Sequence, residues 1–87
     1  MPNNKSAIKR MIQARKRAAR NRAQRSRLKT AIKKVLNAQD GAQATQLFRE
    51  TEALLDRLAS RRIIHPNKAA RQKARLARRV LALGGPP

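Results

Sequence analysis

The chain has 87 residues, 23 Lys and Arg against 4 Asp and Glu, a formal net charge of +19, and no Cys, Trp or Tyr. A chain this short buries only about 60% of its unfolded surface, and with no Cys neither a disulfide nor a thiolate metal site can add stability. Phe48 is the one aromatic residue, which excludes base stacking on aromatic platforms as a main binding mode. Charge of this size disfavours a compact isolated globule and favours a polyanionic partner.

From Met1 to Gln39 there is no Asp, no Glu, no Gly and, after Pro2, no Pro, while 13 of the 23 basic residues fall there. Nothing in the stretch breaks a helix, so one long cationic helix is predicted from Ser6, as N-cap, to about Ala38, roughly 50 Å at ~1.5 Å per residue. No globule of this size needs such a rod for its own core. Leu28, Ala31, Ile32 and Val35 fall at i, i+3, i+4 and i+7, so the C-terminal half carries a core-facing stripe. The N-terminal half has only a short apolar patch, Ile8, Met11 and Ile12, followed by Ala14, Ala18, Ala19 and Ala23. Consecutive Arg15, Lys16 and Arg17 point about 100° apart, so charge covers most of the circumference and this half projects from the core. Like-charge pairs such as Lys5–Lys9 and Lys16–Arg20 cost about 0.2–0.5 kcal/mol each, with no carboxylate nearby to offset them. Lys5 to Arg25 is therefore expected to fray in the free protein and to become helical on binding.

Gly41 and Pro66 divide the remainder, and Gly84-Gly85-Pro86-Pro87 closes the chain. A second helix is predicted over 42–61, with Asp40 as cap and a stripe of Ala44, Leu47, Phe48, Thr51, Leu54, Leu55 and Leu58. All four acids lie in it or just before it, which makes it the structural helix, apolar inward and mildly acidic outward. Pro66 pushes His65 toward extended geometry, so 61–67 reads as a loop. A third helix is predicted over 68–83, with Asn67 as N-cap and Gly84 at C′. Leu76, Ala77, Val80 and Leu83 supply its stripe, and Ala69 and Ala70 allow close approach. The three stripes define an all-α fold, a three-helix bundle with a long N-terminal helix projecting beyond it, as one domain over 1–87.

Catalysis is not expected from one His, no Cys and four acids on a solvated helix, nor is a cofactor or a metal, since no phosphate-cradling Gly-rich loop or ligand set is present. No apolar run approaches the ~20 residues a membrane span needs, and MPNNKSAIKR lacks the apolar core of a secretory signal. A cytoplasmic protein without membrane contact is expected. Of the 23 basic residues, 21 lie in the two terminal segments, with no acid among them. Their expected work is phosphate neutralisation with counterion release, because a net charge of about 2–8 suffices for solubility. Arg outnumbers Lys 15 to 8, and guanidinium grips phosphate with two donors. RKRAARNRAQRSRLK looks like a leucine-zipper basic region, but heptad steps from Leu28 reach Val35, Ala42, Arg49 and Asp56, so no zipper follows. A small DNA-compacting protein is the alternative reading; a membrane-surface helix would need a broader apolar face. His65 reads as an RNA contact at a bend or as an exposed loop residue, Asn21 as a close-approach site in line with Ala7 and Ala14 or as a surface residue, and Phe48 as core.

Two blocks carry a resemblance. The first is Asn3, Lys5-Ser6-Ala7, Lys9-Arg10, Lys16-Arg17, Asn21, Arg25-Ser26 and Thr30-x-Ile32-Lys33-Lys34-Val35. The second is Ile64-His65, Asn67-Lys68-Ala69-Ala70-Arg71, Lys73 and Leu76. Along nearly its full length the chain resembles the bacterial small-subunit ribosomal protein S-twenty family. It departs from that pattern at Ile8, where Lys is common, at Arg62, where Gly is frequent, and at Pro66, where a basic residue is usual. The resemblance implies a three-helix bundle with an extended first helix. It also implies binding to 16S ribosomal RNA of the small subunit, mostly the 5′ domain and the long penultimate stem, with no homo-oligomer. Charge and resemblance together assign RNA contact on the first helix to Lys5, Ser6, Lys9, Arg10, Arg15, Lys16, Arg17, Arg20, Asn21, Arg22, Arg25, Ser26, Lys29, Lys33 and Lys34. Beyond it they assign contact to His65, Asn67, Lys68, Arg71, Lys73 and Arg75.

Overall fold

The computed structural model describes residues 3–85. Three helices account for almost all of them: α1 (Asn3–Leu36), α2 (Gly41–Ser60) and α3 (Pro66–Ala82). At 34 residues α1 spans about 51 Å at the usual ~1.5 Å rise. It begins three residues before the expected cap, so Ser6 lies inside the helix and does not start it. No breaker separates Asn3 from Ser6, and a Ser without one near it does not stop a helix. The other end comes at Leu36, two residues short of Ala38, yet the turn continues: Asn37 N donates to Lys33 O and Ala38 N to Val35 O, at 2.9 and 3.2 Å.

Asp40 caps α2 as expected, its Oδ1 accepting from the Gln43 backbone N–H at 2.7 Å. Gln43 Oε1 reaches back to the Gln39 N–H at 3.4 Å, a loose reciprocal cap. At the far end Ile63 N donates to Leu58 O and Arg62 N to Ala59 O, the paired bonds of a Schellman motif. That motif puts its C′ residue in the left-handed region, and Arg62 adopts it with φ 58°. The position at which the S-twenty pattern often has Gly is therefore the one at which the backbone asks for it. The end of α3 repeats the motif with glycine: Gly85 N donates to Val80 O, Gly84 N to Leu81 O, and Gly84 has φ 83°. Pro86 and Pro87 lie outside the described residues.

The start of α3 corrects two expectations. Pro66 is the first helical residue, where its missing N–H is not needed and its fixed φ suits a helix. Asn67 is thereby inside the helix, and His65 is the N-cap: its Nδ1 accepts the Asn67 N–H at 3.0 Å.

The core lies where the three stripes meet. Val35, Ala44, Leu55, Leu58, Leu76 and Val80 are essentially without exposure, and Leu28, Ala38, Leu54, Ile64 and Ala69 are nearly so. Phe48 is only half-buried at its edge, and Ala70 is exposed, so Ala69 alone makes the close approach. Thr51 is buried among these apolar groups, its hydroxyl donating to Leu47 O at 2.8 Å, so that hydroxyl is not stranded. The helix α2 packs against both others, and α1 and α3 meet over a shorter length. The molecule measures 65 × 20 × 13 Å with a radius of gyration of 17.6 Å, against the roughly 12 Å that compact packing of this length gives. The excess is the projecting half of α1.

One contact closes the bundle at the end away from that projection. A Cβ on Gly41 would stand 2.7 Å from Gly85 N and 2.9 Å from Leu83 O, so the start of α2 and the end of α3 touch backbone to backbone. Gly41→Ala is expected to lower stability by about 1–3 kcal/mol, the usual cost of forcing atoms into a packed contact, read by urea unfolding. An unchanged midpoint would show that this contact is loose. His65→Ala is expected to cost about 0.5–1 kcal/mol, and His65→Asn, which can still accept the Asn67 N–H, much less. Equal losses in both variants would deny His65 its capping role.

Candidate nucleic-acid interface

Residues 5–20 of α1 are all solvent-exposed; Asn21, then Gln24, are the first to be partly covered, and Leu28 is the first buried. The projecting arm therefore carries Lys5, Ser6, Lys9, Arg10, Arg15, Lys16, Arg17 and Arg20 with no protein against any of them. Asn21 stands where the arm leaves the bundle, half-buried on the same face as Leu28. Ile8, Met11 and Ile12 remain about half exposed on the arm, at 55, 52 and 48%. The local sequence explains the geometry: an apolar stripe begins only at Leu28, so the core ends there and the helix does not.

Past Asn21 the exposed residues Arg22, Arg25, Ser26, Lys29, Lys33 and Lys34 run along the outside of the bundle. Three of them turn toward α3. Arg25, Lys29 and Lys33 line one side of a groove of about 480 Å³, and Lys68 and Arg75 line the other, over Leu28, Ile32, Leu55 and Ile64. No carboxylate lines it. The groove between α1 and α2 differs, because Glu50 sits in it with Arg27, Lys34 and Arg57. On the outer face of α3, Lys68, Arg71, Arg75 and Arg78 form a continuous basic surface.

Helix α3 thus brings Lys68, Arg71 and Arg75 to one surface, and His65 and Asn67 stand exposed at its start. It does not bring Lys73 there. Lys73 faces α2, and its Nζ lies 2.8 Å from Asp56 Oδ1. The hydrogen bond to Asp56 raises the lysine pKa above its ordinary value; burial opposes this, and the charges of Asp56 and Glu52 reinforce it. A raised lysine pKa means that Lys73 stays protonated through neutral pH, and what its charge adds to the pair is lost as the solution passes into the alkaline range where Lys73 deprotonates. The pair is solvent-screened and its cation is already matched, so Lys73 is less available to a phosphate than its neighbours.

Charge alone would have added Arg27, Arg61, Arg62, Arg78 and Arg79, which the sequence did not single out as contacts and which are exposed. Gln72, set between the basic residues of the groove, carried no signal in the sequence. Among the described residues no group of His and carboxylates is close enough to hold a metal ion, and no helix is long and apolar enough to cross a membrane.

The arrangement is a slender body that exposes cations on an acid-free arm and along two faces of its bundle, which is what phosphate neutralisation from several directions requires. Comparison with known proteins gives the chain's family. A family model described as "Ribosomal protein S20" matches residues 2–81. A "Small ribosomal subunit protein bS20" of Stenotrophomonas maltophilia (strain K279a) is 52% identical over 86 residues, covering 95% of this chain and 97% of that relative. One of the same description from Shewanella woodyi is 48% identical over 86 residues, covering 95% of this chain and 98% of the relative. With a family match over nearly its whole length and identities of this size, the chain belongs to the ribosomal protein S20 family.

Proposed function

We propose that the protein binds 16S ribosomal RNA directly, mainly its 5′ domain and penultimate stem, and stabilises the packing of those elements during assembly of the small subunit. Membership of a ribosomal-protein family makes the chain a structural component of the ribosome and not an enzyme. The observation that carries the RNA reading is the arm: sixteen consecutive exposed helical residues, 5–20, with seven cations and no acid. A helix charged on all sides accepts phosphates from more than one side. Placed between two RNA segments, it lowers the repulsion that would hold them apart. The outer face of α3 offers a second basic surface, so bundle and arm together tie separate elements. Specificity comes mainly from RNA shape, since phosphate contacts set position and few side chains here can read bases.

Two measurements test the proposal. With about 8–10 phosphates neutralised, the log–log slope of 16S RNA affinity against salt is expected near −6 to −9, and deletion of residues 1–20 should leave a helical bundle that has lost most of this affinity. A slope near −2, or full affinity without the arm, contradicts the mechanism. Because its like charges repel, the arm is also expected to gain helicity when RNA is added at low salt, seen by far-ultraviolet circular dichroism. A free protein already helical to its full extent would remove coupled folding from the account.

A further inference from the structure

The groove between α1 and α3 has features that a phosphate-binding face does not need. Its floor is aliphatic, it encloses about 480 Å³, and this lies in the usual range of roughly 300–1,000 Å³ for sites that take a small molecule. A rod of duplex RNA lying across the rim would meet Arg25, Lys29, Lys33 and Lys68 and leave the floor empty. Gln72 adds a second observation. Its side chain lines the groove, and its Oε1 is shut off from solvent without a hydrogen-bond partner, the one such side-chain atom among the described residues. A buried carbonyl oxygen left unpaired is costly, so the half-buried side chain gains by turning to a ligand that satisfies it. An amide offers one acceptor and two donors on one planar end.

The occupant suited to it has an apolar face for the aliphatic floor, an edge with both a donor and an acceptor for the amide, and attached negative charge for the basic rim. A nucleotide swung out of an RNA strand has all three, and unpaired nucleotides are the ones whose base edges proteins can reach. Of the base edges, adenine N6 and N7 match a glutamine amide with two hydrogen bonds. We propose that this groove seats one unpaired adenine of RNA, its base over Leu28 and Ile32, its phosphates on Lys29, Lys33 and Lys68, and its N6–N7 edge on the Gln72 amide. The proposal rests on the RNA-binding reading above and deepens it: most of the surface reads shape, and this one position reads a base. The α1–α2 groove does not compete for the role, because Glu50 sits in it.

The test uses the full chain and fluorescence anisotropy with six-nucleotide oligoadenylate and oligouridylate. The wild type is expected to bind the adenylate roughly tenfold more tightly, the discrimination a bidentate base contact gives. Gln72→Leu should erase that preference while keeping the uridylate affinity, and its melting temperature should be equal or higher, since the stranded amide is gone. Gln72→Glu, which keeps the shape and adds a negative charge, should lose the preference and weaken both probes. Equal wild-type affinities, or a preference that survives in both variants, overturns the inference. A parallel titration of wild type with 16S RNA separates the two levels. Steep salt dependence there without a hexamer preference removes only the adenine site, whereas weak binding with a shallow salt slope removes the RNA reading itself.

Discussion

The molecule is governed by charge repulsion at close range without compensation. Thirteen cations stand on α1 and no carboxylate stands with them. Neighbours at i and i+4 are about 5–6 Å apart, which is shorter than the roughly 8 Å screening length of physiological salt. Dissolved ions therefore leave much of the repulsion in place. What relieves it is fixed negative charge at contact distance, and a phosphate backbone supplies that. The length of α1, the exposure of its first half and the slenderness of the body fit the RNA partner proposed above.

The bundle deals with the same constraint by division of labour. Helix α2 holds three of the four acids, and the fourth, Asp40, caps it. It lies against both cationic helices, which meet each other over a shorter length. Its Asp56 binds Lys73, the cation of α3 that points to α2. The core is small, and its ends are finished carefully: a carboxylate cap, an imidazole cap, two Schellman turns and a glycine-to-glycine backbone contact. In a body with few buried side chains, such local devices of about 0.5–2 kcal/mol each are a large share of what keeps it folded.

The two basic surfaces differ in kind. The arm is convex and has no core beneath it, so it suits the outside of RNA helices. The α1–α3 groove is concave and has an aliphatic floor, so it suits a single group entering from an RNA strand. Membership of a ribosomal-protein family does not by itself distinguish the two surfaces; their shapes do.

Much of this was legible in the sequence. The acid-free run to Gln39 made one long helix, Leu28 marked where its core stripe begins, and Asp40 and Gly84 marked a start and a stop by the chemistry of their side chains. The helix starts were less legible, because a cap depends on which of several competent residues the chain selects. Ser6 and Asn67 were competent, but Asn3 was already helical, and Pro66 claimed the first helical position, leaving the cap to His65. Arg62 could not be read as a left-handed residue from its type, since only the two backbone bonds of the turn demand it. Tertiary structure alone decided three things: that Arg25, Lys29 and Lys33 face Lys68 and Arg75, that Lys73 turns to Asp56, and that Gln72 is stranded between. Periodicity along one helix states which residues share a face, but which face of another helix it meets depends on how the whole bundle packs.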